Sequence, residues 1–290
     1  WKNMQYQWYP GHMTKAKRMM QENIKLVDLI IELVDARIPY SSRNPDIDEL
    51  GRNKARLILL NKADLADEAA NAAWTKALEA TGAVVVKANS RSGAGLKAVQ
   101  GAVAEACKEK IERDRRRGIK NRPVRAMVAG IPNVGKSTFI NSYAGKACAK
   151  TGNKPGVTRG AQWIKLNRQL ELLDTPGILW PRFENQEVGF RLALIGSIRD
   201  EVLNTEEMAF TFLQFLRANY PGLLQQRYEI EESDDALENL NRIAENRLCR
   251  LKGNMLDLKK ASDIVIDDFR SGRLGRITLE FPDGVGQEKD

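Results

Sequence analysis

The eight residues Gly-Ile-Pro-Asn-Val-Gly-Lys-Ser at positions 130–137 restrict the fold more than any other part of the sequence. They stand between an apolar run, 124–129, and a helix-like segment, 138–143. A glycine-rich turn that joins a buried strand directly to a helix is a building unit of sheets with mainly parallel strands. The sequence therefore predicts an α/β fold organised around this turn.

Short runs rich in Val, Ile and Leu recur through the first part of the chain, and helix-like segments such as 68–79 and 95–110 lie between several of them. This alternation predicts a mainly parallel sheet with flanking helices, whose functional loops follow the strand ends. The predicted strands are 29–34, 57–60, 83–86, 124–129 and 170–173.

Beyond residue 181 the pattern changes to helix periods alone, at 188–198, 206–216 and 236–269 with an interruption near Gly253. A chain of 290 residues is long enough for an average domain and a second, smaller one. We therefore predict an α/β domain with an N-terminal extension at 1–181, followed by an all-helical domain at 182–290.

The net charge of +8 is distributed unevenly between these two parts. Residues 1–181 contain 31 Lys/Arg and 17 Asp/Glu, whereas 182–290 contain 15 and 21. Such a positive surplus indicates a polyanionic partner, of which nucleic acid is the first candidate. Within residues 1–181, the segment 108–125 contains nine basic and three acidic residues. This segment is either a solvated helix end or a nucleic-acid contact.

Other compositional features exclude some classes of protein. The three cysteines are an odd number without metal-ligand spacing, which disfavours a disulfide framework or a zinc site. No apolar stretch is long enough to span a bilayer, and the opening residues lack the apolar core of a secretory signal. We therefore expect a soluble, cytoplasmic protein that acts as a monomer.

The turn 130–137 fits the phosphate-loop pattern of nucleotide-binding proteins. Its glycines allow backbone N–H groups to converge on phosphate oxygens, Lys136 can reach the terminal phosphates, and Ser137 can bind Mg²⁺. Farther along, Asp174 closes an apolar run and can hold Mg²⁺ through water, while the N–H of Gly177 can reach a phosphate. Thr158, between the two, can supply a second hydroxyl to Mg²⁺. Taken alone, the turn at 174–177 is also compatible with an ordinary loop.

The residues Asn61-Lys62-Ala63-Asp64 follow the run 57–60 and resemble the guanine-recognition motif of GTPases. In that motif the Asp carboxylate accepts hydrogen bonds from the ring N–H and amino group of guanine, a pair of donors that adenine does not offer. The tripeptide at 88–90 resembles the weaker base-contacting loop of the same proteins. These motifs predict binding of GTP and GDP.

The order of the motifs is permuted, because common GTPases have the Asn-Lys-x-Asp motif last and here it comes first. With the opening Pro10-Gly11-His12-Met13, the chain resembles the YlqF/RbgA family of circularly permuted GTPases. The resemblance implies GTP hydrolysis by an assembly factor of the large ribosomal subunit that also binds rRNA. The residues assigned to GTP are Asn61, Lys62, Ala63, Asp64, Asn89, Ser90, Asn133, Val134, Gly135, Lys136, Ser137, Thr138 and Gly177.

Two further assignments concern catalysis and a second ion. Ras-like enzymes have a water-orienting Gln directly after the Gly of Asp-x-x-Gly, but this chain has Ile178. His12 is the only histidine and becomes the candidate for orienting water from a loop; its alternative role is packing or RNA contact. Arg159, beside Thr158, is the second candidate, as a charge-stabilising group. In GTPases that use K⁺, an Asn occupies the position of Asn133, although this residue can also serve only to stabilise the loop.

Two other functions remain open on the sequence alone. The first is a regulatory GTP-binding switch that recruits a protein through the acidic helical domain, with negligible hydrolysis. The second is an enzyme that modifies RNA directly, although 182–290 contains no second catalytic motif. Binding to rRNA that weakens steeply with salt would distinguish the assembly factor from the regulatory switch.

Overall fold

The computed structural model describes residues 11–145, 161–177 and 185–284, without the side chains of 11–16, 202 and 284. In these ranges six strands form one sheet in the order β3-β2-β1-β4-β6-β5. All neighbouring strands are parallel except β5 and β6. The predicted α/β class is therefore confirmed. The strands are β1 Leu29–Asp35, β2 Ala55–Asn61, β3 Val84–Lys87, β4 Val124–Ala129, β5 Gln162–Lys165 and β6 Leu170–Asp174.

The two central strands, β1 and β4, lie next to each other where the strand order changes direction. Every residue of β1 is buried, as expected for a strand covered on both faces. In open sheets of this kind, ligands bind in the crevice beyond the carboxyl ends of the strands at such a switch point. The topology thus predicts a ligand-binding site at the loops that follow β1, β2, β3, β4 and β6.

The helices flank this sheet or follow it in the chain. They are α1 Gly11–Ile24, α2 Pro45–Leu50, α3 Glu68–Glu79, α4 Lys97–Ala106, α5 Lys108–Arg116, α6 Lys136–Ala144, α7 Gln186–Leu194, α8 Thr205–Asn219, α9 Leu223–Tyr228, α10 Ala236–Asn246 and α11 Leu258–Ser271. The predicted helix 68–79 agrees with α3, whereas 95–110 is divided into α4 and α5 at Cys107. None of the helices in the described ranges is both long and apolar enough to cross a membrane.

Two local predictions from the sequence are wrong. His12 was expected in a loop, but Gly11–Ile24 forms α1, because its residues after Gly11 include no Pro or further Gly and several good helix formers. The short strand β5 was missed, since of its four residues only Ile164 is buried and no apolar run marks it. An edge strand of four residues with one buried apolar side chain gives no periodic signal.

The chain divides into two compact units at positions that differ from the predicted boundary at 181/182. The first unit contains the sheet and extends to Leu192, and the chain returns to it from Thr278 onward. The second unit is Ala193–Ile277 and contains the helices α8 to α11. It is helical, as expected, but the last described residues of the chain belong to the sheet unit.

A buried carboxylate and an aromatic pair lie inside the second unit. The rings of Phe212 on α8 and Phe269 on α11 have centroids 4.8 Å apart. Next to them on α11, Asp268 accepts hydrogen bonds from Tyr228 (2.8 Å), Arg227 and Arg273. These contacts join α8, α9 and α11 into one core, because a buried carboxylate is stable only when its oxygens are paired.

Candidate functional site

The site is built where two turns from distant parts of the chain meet at the carboxyl ends of β2 and β4. Asn61, the last residue of β2, donates a hydrogen bond from Nδ2 to the carbonyl oxygen of Val134, at 2.7 Å. Lys62 donates from Nζ to the carbonyl oxygen of Asn133, at 2.9 Å. The residues 61–64 and the turn 130–137, which the sequence assigned to guanine and phosphate, are therefore in direct contact.

The conformation of the turn 130–137 depends on its glycine at 135. Gly135 has φ +93° and lies at the N-terminus of α6, and a Cβ there would collide with Nδ2 of Asn61. Asn133 also has a left-handed backbone, with φ +65°, which Asn tolerates better than most residues. The turn leads into α6, with Ser137 and Thr138 in its first turn and half-buried. The helix N-terminus presents backbone N–H groups and partial positive charge, which suit an anion.

The loop after β3 completes the same edge of the sheet. Ser90 is buried, and both its N–H and its Oγ donate to Oδ1 of Asn61, at 3.0 and 2.8 Å. Its carbonyl oxygen accepts from Oγ of Ser142 on α6, at 2.6 Å. Asn89, the other residue assigned to GTP in this loop, accepts from the N–H of Arg91 through its Oδ1, at 3.1 Å. Ser90 therefore positions Asn61, which in turn holds the phosphate turn.

Asp64 lies in the short 3₁₀ turn Ala63–Leu65 and is exposed. Its carboxylate makes no hydrogen bond or ion pair to any residue in the described part of the chain. Ala63 anchors the turn, donating from its N–H to the carbonyl of Ala88 (3.2 Å). Asn71 donates from Nδ2 to the carbonyl of Ala63 (2.9 Å). A carboxylate held on a fixed turn and open to solvent can accept a pair of hydrogen bonds from a planar ligand.

Opposite charges meet between the phosphate turn and the end of β6. Lys136 forms an ion pair with Oδ1 of Asp174, and both side chains are buried. Burial lowers the pKa of Lys136 below its ordinary value, although the Asp174 carboxylate acts in the opposite direction. The second carboxylate oxygen, Oδ2 of Asp174, is buried and has no hydrogen-bond partner. An unsatisfied buried oxygen of this kind, near the hydroxyl-bearing first turn of α6, fits the oxygen-ligand preference of Mg²⁺.

The turn after β6 packs on the phosphate turn. Thr175 is buried and donates from Oγ1 to the carbonyl of Val128 on β4, at 2.8 Å. A Cβ at Gly177 would approach Cα of Pro132 to 3.2 Å, so that the two backbones lie against each other. A side chain at this position would need Pro132 to move by a few tenths of an ångström, so glycine suits the close approach. Of the remaining assigned residues, Thr158 and Arg159, with the side chain of His12, lie outside the described residues.

A buried ion pair at the end of β1 was not predicted from the sequence. Asp35 accepts from Nε, NH2 and the backbone N–H of Arg37, at 2.9, 2.7 and 3.0 Å. Its Oδ2 also lies 3.9 Å from Nζ of Lys62. Burial acts to raise the pKa of Asp35, yet Arg37 and Lys62 hold it below its ordinary value. A charged pair directly after an apolar run was the available signal, because charges at the ends of central strands are costly unless they are paired.

A second missed feature is the segment Thr278-Leu279-Glu280, here called the C-terminal strap. Glu280 is buried; its Oε1 accepts from the N–H groups of Tyr40 (2.6 Å) and Ser41 (2.8 Å), and its Oε2 accepts from Arg191 (3.1 Å). Thr278 Oγ1 accepts from the N–H of Asp67, shortly after the turn that carries Asp64. The strap therefore fastens the loop after β1 and helix α7 to the side of the site that carries Asp64.

Comparison with known proteins shows similarity to ribosome-associated GTPases. Residues 125–248 match the family described as "50S ribosome-binding GTPase". The chain is 46% identical over 286 residues to ribosome biogenesis GTPase A of Bacillus cereus, covering 98% of this chain and 97% of that protein. It is 36% identical to mitochondrial ribosome-associated GTPase 1 of the mouse, covering 94% of this chain and 89% of that protein.

The fold also has a close counterpart among solved structures. The crystal structure of GNP-bound YlqF from T. maritima superposes with a TM-score of 0.66 at 28% identity, covering 93% of this chain and 99% of that one. Identity of nearly one half along almost the whole of both chains is far above what a shared fold alone requires. The chain therefore belongs to the ribosome biogenesis GTPase A family, also called YlqF/RbgA, and it is a circularly permuted GTPase.

Proposed function

We propose that this GTPase binds the pre-ribosomal large (50S) subunit and its rRNA in the cytoplasm, as a monomer, promotes late maturation of that particle, and leaves it when GTP is hydrolysed. The observation that carries the proposal is the contact of Asn61 with Val134, which brings the permuted motifs together at one sheet edge. The names of its relatives support the ribosomal target. The positive surplus of 1–181 suits an RNA partner.

In this proposal each part of the site has a separate role. Asp64 accepts from guanine, and Asn61 and Ser90 hold the base-binding and phosphate-binding turns in register. Lys136 and the N-terminus of α6 neutralise the phosphates. GTPases generally use Mg²⁺, which would be held by Ser137, Thr158 and, through water, Asp174, and which would neutralise charge on the terminal phosphates.

The experiment that tests the proposal is GTP hydrolysis measured with and without purified large ribosomal subunits. We expect stimulation by the subunits, and a protein that co-sediments with them in the GTP state and is released after hydrolysis. Binding should weaken steeply as salt rises, because phosphate contacts release counterions. A rate unchanged by subunits, together with no co-sedimentation at low salt, would favour the regulatory switch instead.

The second element of the proposal is that His12 orients the attacking water when the subunit is bound. Its position in the first turn of α1 is described, although its side chain is not. We expect His12→Ala to retain GTP affinity and subunit binding and to lower subunit-stimulated hydrolysis by about a hundredfold. If His12→Ala retains full subunit-stimulated hydrolysis but binds RNA more weakly, His12 contacts RNA and does not act in catalysis.

The third element is a K⁺ ion at Asn133. We expect faster hydrolysis in KCl than in NaCl at equal ionic strength, because K⁺ adds a positive charge next to the phosphates. The matched variant is Asn133→Gly, which tolerates the backbone φ of +65° and removes only the side chain. This variant should hydrolyse GTP equally in both salts. Equal rates in the unchanged protein would instead leave Asn133 as a loop-stabilising residue.

A further inference from the structure

The basic helix α5 lies at the opposite end of the sheet from the nucleotide motifs. Asp28, directly before β1, accepts from the N–H of Arg125 in β4 (3.0 Å) and pairs with Lys110 of α5 (3.5 Å). Helix α5 is thus attached at the amino ends of β1 and β4, whereas the phosphate turn follows the carboxyl end of β4. A strand of this length separates its two ends by roughly 20 Å. The charges of α5 are therefore too distant to hold the phosphates of GTP.

Packing does not account for α5. None of its residues is buried, and the eight residues 115–122 that end and follow it are all exposed. A short helix gains most of its stability from an apolar face that packs on a neighbour, and α5 has none. Its turn is nevertheless ordered, since Ile119 donates from its N–H to the carbonyl of Asp114, at 2.9 Å. Helix α5 and the residues after it are thus an exposed segment without an apolar packing face.

Two of the three acidic side chains of 108–122 are paired within the segment. Asp114 pairs with Lys110 at 3.1 Å, and Glu112 pairs with Arg116 at 3.4 Å. The pKa of Asp114 is lowered by the hydrogen bond from Lys110 and by the nearby positive charges of Arg122 and Arg113. In contrast, five of the six basic side chains of 113–122 have no ion pair with any residue in the described ranges. They are Arg113, Arg115, Arg117, Lys120 and Arg122, here called the α5 basic surface.

We propose that the α5 basic surface binds the phosphate backbone of structured RNA, as a second anion site separate from the GTP site. This inference rests on the proposed function, since it names the surface by which the GTPase contacts rRNA. Five exposed basic side chains without an ion pair in the described ranges match the phosphate contacts that supply most nucleic-acid affinity. A lipid surface suits it less, because Ile111 and Ile119 are the only apolar side chains of 108–122 and form no apolar face.

The test compares two triple variants that lower the net charge equally. The first is Arg115→Gln, Arg117→Gln and Lys120→Gln in the α5 basic surface. The control is Lys76→Gln, Lys87→Gln and Lys97→Gln, three exposed lysines on α3, at the end of β3 and on α4. Each protein is titrated into a fluorescent 20-base-pair RNA duplex and into protein-free large-subunit rRNA, at several salt concentrations. GTP affinity and basal hydrolysis are measured in parallel.

We expect the first triple variant to bind both RNAs at least about tenfold more weakly near physiological salt, and its slope of log affinity against log salt to fall by about 3. The control triple variant should lose much less RNA affinity, and its slope should change less. A third variant, Arg115→Lys with Arg117→Lys, retains the charges and should retain the slope. GTP affinity and basal hydrolysis should not change in any of them.

The outcomes separate this inference from the proposed function. Equal RNA affinities and slopes in the two triple variants would overturn the inference, even if large subunits still stimulate hydrolysis. If the triple variant in the α5 basic surface loses binding to phosphatidylglycerol vesicles but binds RNA as the unchanged protein does, the inference is also overturned, in favour of a lipid surface. If the unchanged protein binds neither subunits nor rRNA, the proposed function fails first, and the inference fails with it.

Discussion

Exchange of Asp64 for Asn is expected to lower the affinity for GTP by about three orders of magnitude, which corresponds to roughly 4 kcal/mol. The Asp64 carboxylate offers two acceptor oxygens on a turn held by Ala63 and Asn71. An Asn side chain has one acceptor and one donor, so its NH₂ group would face a donor of guanine. Xanthine carries an oxygen in place of the amino group and should be preferred by the variant. Nucleotide affinities measured by isothermal titration with GTP and xanthosine triphosphate would show this exchange.

The matched control for this variant is Asp67→Asn, three residues farther along the chain. Asp67 caps α3 by accepting from the N–H of Ala69, and Asn is an equally good N-cap. The control therefore makes the same chemical change near the site and should leave the affinity for GTP unchanged. If Asp64→Asn binds GTP as tightly as the unchanged protein, Asp64 does not recognise guanine.

The second large effect is expected at Glu280 and concerns stability. Burial raises the pKa of Glu280 above its ordinary value, while Arg191 and the groups donated by Ser41 and Tyr40 act in the opposite direction. Removal of the carboxylate in Glu280→Ala leaves those donors without their acceptor. We expect a loss of about 3 kcal/mol in the free energy of unfolding. In calorimetry this should appear as a fall in Tm of roughly 10 °C.

Glu187→Ala is the control, because Glu187 is exposed to solvent and pairs with Arg191, the arginine that also pairs with Glu280. Its carboxylate lies 3.4 Å from NH2 of Arg191, and its side chain is 61% exposed. An exposed pair contributes at most about 1 kcal/mol. Glu280→Gln retains the side-chain volume but turns an NH₂ group toward neighbouring donors. Its fall in Tm should therefore lie between those of Glu280→Ala and Glu187→Ala. Equal falls in Tm for Glu280→Ala and Glu187→Ala would refute the role given to the C-terminal strap.

The α/β class and the positions of the nucleotide motifs could be predicted from local sequence patterns. A buried parallel strand needs an unbroken apolar run, so β1 and β4 are visible as 29–34 and 124–129. The phosphate and guanine motifs are also local, since their chemistry needs fixed residue types at fixed spacing. Topology then brought them together, because parallel strands that share a sheet have their carboxyl ends at one edge.

Features that depend on residues far apart in the chain became visible only in the folded structure. The strap joins Glu280 to the N–H of Tyr40 across a separation of 240 residues, and nothing around Glu280 distinguishes it from an exposed glutamate. The unit boundary at Leu192 and the return at Thr278 follow from such contacts, and helix periods alone do not reveal them. Local sequence thus specifies strands, helices and motifs, whereas pairing of buried charges over long separations becomes apparent only once the chain is folded.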